Sequence, residues 1–119
     1  MQNLDQIRAT SALANAQSLD RSAISGLPGL ILTNGLLSAA AFCEADGGGE
    51  NRIHIKAAMK AIAKHLSQRG IASAGIQNTQ ALIQDLSTKD SHTLQRATTE
   101  SLAYLSFLKR FAKKNKEAS

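Results

Sequence analysis

The sequence holds no tryptophan, one tyrosine and three phenylalanines. Single-strand binders of the OB or RRM type stack bases on exposed aromatic side chains. Four aromatics that must also serve a core are too few for that mode. One cysteine, Cys43, excludes an intrachain disulfide, and its neighbours include no set of zinc ligands. A reducing compartment, the cytoplasm, is the expected location. Valine is absent. No period-2 run of other β-branched residues replaces it, so strands are poorly supported. Acidic residues are also scarce, with 9 Asp+Glu against 14 Lys+Arg and a formal charge of +5. That imbalance concerns partners rather than fold, and it favours an anionic one.

What remains is a chain of 119 residues, 43% apolar, long enough for one core without staples. The expected fold is all-α: a single domain over 1–119, a bundle of five or six helices with a flexible basic tail from about residue 113. Asn3 and Gln6 have capping-box spacing and open the first helix. Its apolar residues Leu4, Ile7, Leu13, Ala14, Ala16 and Leu19 are expected to face inward. The residues MQNLDQIR lack the basic start and apolar run of a secretory signal.

Between Arg21 and Glu44 lie 22 uncharged residues. Pro28 suits a helix start because its missing N–H needs no partner there. A helix over 28–43 spans roughly 24 Å at ~1.5 Å per residue, short of a ~30 Å hydrocarbon core. It is apolar on nearly every side and reads as the buried central helix of a bundle, with no membrane span. Gly35 inside it is either a tolerated glycine or the site of a bend or close approach. The glycines at 47–49 form a loop. They are not followed by the Gly-Lys-Ser/Thr that a phosphate cradle needs. Further helices are expected over 52–69, ended by Gly70, over 76–86, and from a cap at Asp90 or Ser91 to about 112. The inner stripes are Ile55, Met59, Ile62 and Leu66, then Leu94, Ala97, Ser101, Leu102, Leu105 and Leu108.

Catalytic chemistry finds little support. His54, His65 and His92 fall in no metal-binding spacing and read as surface or satisfied histidines. Cys43 reads as a small core residue. No catalytic, cofactor-binding or metal-ligating residue is nominated. The basic pattern is stronger. Arg52, Lys56, Lys60 and Lys64 recur every four residues, with no acid between Arg52 and Arg69. Like charges at this spacing cost a helix a few tenths of a kcal/mol each, so retaining them suggests an anionic partner. A second cluster holds Lys109, Arg110, Lys113 and Lys114. It also suits the negative end of a helix dipole. With few aromatics, the binding expected of these eight residues tracks an RNA backbone without reading bases.

Three stretches carry a family resemblance. They are Asn3-Leu4-Asp5-Gln6 with Arg8-Ala9, then Gly26-Leu27-Pro28 leading to Asn34-Gly35-Leu36 and Ala41-Phe42, and finally the run from Glu100 to Ala112. Together they resemble the small helical subunit of the type III-B (Cmr-type) CRISPR RNA-guided effector complex. Phe107 stands where relatives are expected to have tryptophan. The resemblance implies a non-catalytic, α-helical protein. It implies several copies in a head-to-tail stack beside the backbone and large subunits, helping to hold crRNA and target RNA. It supplies no RNA-contacting residue, so the eight cations rest on charge and spacing. A protein-interaction adaptor without RNA contact and a small ribonuclease using His54 or His65 are the alternatives.

Overall fold

The computed structural model describes residues 3–45 and 51–112. Among these the chain forms seven helical segments: α1 (Leu4–Ala16), α2 (Arg21–Ile24), α3 (Leu27–Asn34), α4 (Leu36–Glu44), α5 (Asn51–Gln68), α6 (Thr79–Ser87) and α7 (Ser91–Phe111). The single turn of α2 apart, this is the expected all-α bundle of six helices. The glycine loop at 47–49 and the tail from 113, with Lys113 and Lys114, lie outside the described residues.

Local chemistry sets most helix ends. The Asn3 side chain accepts from the Gln6 N–H, and the Gln6 side chain accepts from the Asn3 N–H, both at 2.8 Å. This closed box satisfies two donors that a helix start leaves unpaired. Asp90 caps α7 through the Thr93 N–H. At Gly70, with φ +75°, the Ile71 N–H returns to the Leu66 carbonyl and the Gly70 N–H to the Ser67 carbonyl. That pairing ends α5 as a Schellman turn, and Ile71 is buried against the core. The helix expected over 76–86 starts later, at Thr79. Asn78 is extended there, and its side chain accepts from the Ala81 N–H.

Two expectations fail. The helix expected over 28–43 is two helices, divided at Gly35 (φ 87°, ψ 161°). It is also not the buried centre: Leu32 is 71% exposed and Phe42 47%. The central helix is α5, which packs against α1, α2, α4, α6 and α7. The second failure concerns the inner face of α1. Leu13 and Ala14 point to solvent, while Ser11 and Asn15 are half-buried and Ala12 and Ala16 fully so. The reason is the surface α1 meets. It packs chiefly on α7, which presents the buried Glu100, Ser101 and Tyr104. Polar and small residues match that surface better than leucine does. Among the described residues, no helix is long and apolar enough to cross a membrane.

Candidate nucleic-acid interface

The lysine row follows from helix geometry. Residues four apart are offset by about 40°, so four positions sweep roughly 120° of arc. Arg52 lies at one edge, beside α4. Its guanidinium sits 4.4 Å from the centroid of the Phe42 ring and donates to the Phe42 carbonyl. Lys60 is exposed, and Lys56 and Lys64 are half-exposed. Lys64 reaches the loop after α5, where it lines a small cleft with Gly75 and Gln77. None of the three lysines forms an ion pair among the described residues. Ile53, 72% exposed, lies within the same arc.

The second cluster divides. Lys109 and Arg110 end α7, where Lys109 is half-exposed and Arg110 exposed. Their backbone is held from outside the helix. Arg21 donates to the carbonyls of Lys109, Arg110 and Ala112 at 2.9, 2.8 and 3.2 Å. One guanidinium thus serves three carbonyls that a helix end leaves unpaired. Nothing in the residues around Arg21 announces this role, because its partners lie nearly ninety residues away. The Asp20 N–H beside it donates to His54 Nδ1 at 3.2 Å, fastening α2 to α5. His54 lies about 160° around α5 from Arg52 and Lys56. The row and the edge that meets α2 are therefore on different sides of α5.

Behind this surface is a buried polar network. Glu100, 7% exposed at its side chain, accepts from Arg8 Nε and from the same guanidinium's Nη2, each at 2.8 Å. His65 Nε2 lies 2.8 Å from the same carboxylate, and its ring stacks on Tyr104 at 4.2 Å between centroids. The Tyr104 hydroxyl accepts from Ser11 and Asn15. Burial pushes Glu100 up, but hydrogen bonds from Arg8 and His65 outweigh it and hold the carboxyl below its usual value. Burial lowers His65, against the pull of Glu100. Its Nδ1 is buried without a partner. A protonated ring would leave an N–H unpaired there, so neutral His65 donates from Nε2. Burial also pushes the Cys43 thiol up to about 11, which leaves it an inert core residue.

Both shifts have the same consequence in acid. The unfolded chain takes up a proton at His65 as pH falls through 6.5, where the folded chain resists. At Glu100 the same happens as pH falls through 4.5. Stability is therefore fully present above about pH 6.5, declines below it, and declines more steeply below 4.5. Urea denaturation across this range should show the first decline in the parent chain and a flatter curve in His65→Gln. A parent curve flat between pH 7 and 5 contradicts a neutral, buried His65.

The ribonuclease alternative loses one of its two histidines, since His65 is wholly enclosed. His54 lies eleven residues away, about 16 Å along the axis. Among the described residues no group of three acidic, histidine or cysteine side chains could hold a metal ion. A family model described as CRISPR-associated protein (Cas_Cmr5) matches residues 4–115. No curated protein and no solved structure matches the chain.

Proposed function

Because the chain belongs to the CRISPR-associated Cas_Cmr5 family, the small subunits of type III-B Cmr complexes, we propose that it is a non-catalytic structural subunit contacting crRNA or target RNA in antiviral defence. It works in the cytoplasm. Several copies stack head to tail beside the backbone and large subunits. A heterologous contact of this kind builds an open row rather than a closed dimer.

One observation carries the RNA contact. Lys56, Lys60 and Lys64 follow one exposed arc of α5 without an acidic partner among the described residues, while Arg52 is held at its edge by Phe42. Lys109 and Arg110 lie at the end of α7 clasped by Arg21, beside the α2 edge of α5. A continuous basic groove is therefore most simply made by joining the row of one copy to the α7 end of the next. Lys113 and Lys114 extend that end in sequence. The enclosure of His65 and the inert Cys43 support the absence of catalysis.

If one subunit neutralises about four phosphates, its single-strand salt slope is about −2.8. Affinity then falls roughly 50-fold between 50 and 200 mM salt. Replacing Lys56, Lys60 and Lys64 together by glutamate should flatten the slope to at most about −0.7. In the reconstituted complex, assembly should survive while target capture falls. The exposed Ile53 inside the row favours a second reading, an adaptor that meets only protein. Loss of assembly with unchanged RNA affinity of the isolated subunit supports that adaptor and removes the row as an RNA site.

A further inference from the structure

We infer that a cleft between the end of α5 and the first half of α7 is a binding site for a phosphate group. The cleft holds about 370 Å³, within the range of small-ligand sites. Its α7 wall is a stripe at helical spacing: His92, Gln95, Arg96, Thr99 and Glu100. Arg69 faces it from the turn that ends α5.

Three observations converge on an anion. Neither Arg69 nor Arg96 forms an ion pair among the described residues, so two guanidinium charges line one cleft without a counterion. Glu100, the carboxylate in the wall, is already engaged by Arg8 and His65. The Nε of Arg69 is also buried with no hydrogen-bond partner. Buried polar groups are nearly always paired, so a donor left without a protein acceptor at the cleft's edge is open to a ligand oxygen once the side chain turns toward the cleft. Two forks of N–H donors suit tetrahedral phosphate oxygens better than one planar carboxylate. Gln95 and Thr99 add neutral donors.

The cleft is separate from the lysine row. Its phosphate has two sources, an RNA backbone or a free phosphate. Only the RNA source rests on the function proposed above. The test uses the full chain with ¹⁵N-labelled arginine, following the Nε–H signals of Arg69 and Arg96. The probes are inorganic phosphate, uridine monophosphate and a short oligouridylate. Phosphate should shift both signals, and Arg69→Gln or Arg96→Gln should each weaken phosphate binding about tenfold. Lys89→Gln, at a cation outside both the cleft and the row, should leave it unchanged, and Arg69→Lys, which keeps the charge, guards against a folding artefact. A response to the oligouridylate as well as phosphate assigns RNA as the source. A response to phosphate and the monophosphate alone keeps the site and assigns a free phosphate, leaving the row to be judged by its own experiment. No shift with any probe overturns the inference. So does a glutamate-rich peptide that binds more tightly than every phosphate probe, since the cleft then serves protein carboxylates.

Discussion

Replacing Glu100 by alanine should destabilise the fold by about 3–5 kcal/mol, the cost of breaking a buried ion pair from one side. The carboxylate joins Arg8 of α1 to His65 of α5 from its place on α7. Its removal leaves the Arg8 guanidinium, only 15% exposed at its side chain, without its main compensating charge. Asp5, at 3.1 Å, is exposed and replaces little of that interaction. Urea denaturation at pH 7 measures the effect directly. The midpoint of thermal unfolding should fall by roughly 10–20 °C for a domain of this size. Arg8→Met in the Glu100→Ala background should recover part of the loss, because an apolar pair is tolerated where a lone charge is not. A loss below about 1 kcal/mol would show that the network is solvated and does not tie the three helices together.

The second large effect is expected at Gly35. Its φ of +87° with ψ of 161° lies in a region essentially reserved for glycine, where another residue costs about 1–3 kcal/mol. A Cβ built there meets nothing within 4 Å, so Gly35→Ala tests backbone strain without crowding. Destabilisation near 2 kcal/mol in urea is the expected result. Ala→Gly exchange at Ala41, exposed within α4, provides a scale: about 1 kcal/mol from helix propensity alone. A neutral or stabilising Gly35→Ala would mean that 28–43 runs as one continuous helix in solution.

These two sites also mark where sequence reading stops. The helix ends at Asn3, Gly70 and Asp90 were legible because caps are made by residues three to five apart. The lysine row was legible for the same reason, since a period of 3.6 residues places Arg52, Lys56, Lys60 and Lys64 on one arc. The absence of valine and the shortage of aromatics indicated an all-α chain without a base-stacking platform, and those are properties of composition.

The break at Gly35 has only an ambiguous local signal, a glycine that reads equally as a tolerated residue or as a bend. Leu30 to Leu37 is as good a helical stretch on one side of the glycine as on the other. Its division goes with different packing: α3 lies against α7, whereas α4 lies chiefly against α6 and α5 and only marginally against α7. The inner face of α1 misled for a related reason. Hydrophobicity ranks Leu13 above Ser11 and Asn15, but the face is chosen by Glu100 and Tyr104, some ninety residues along the chain. The Arg21 clasp on α7 and the pairing of Arg69 with Arg96 across one cleft are likewise long-range. Hydrogen bonds within one helical turn are inscribed in neighbouring residues, whereas the partner of a buried charge is chosen by which helices meet.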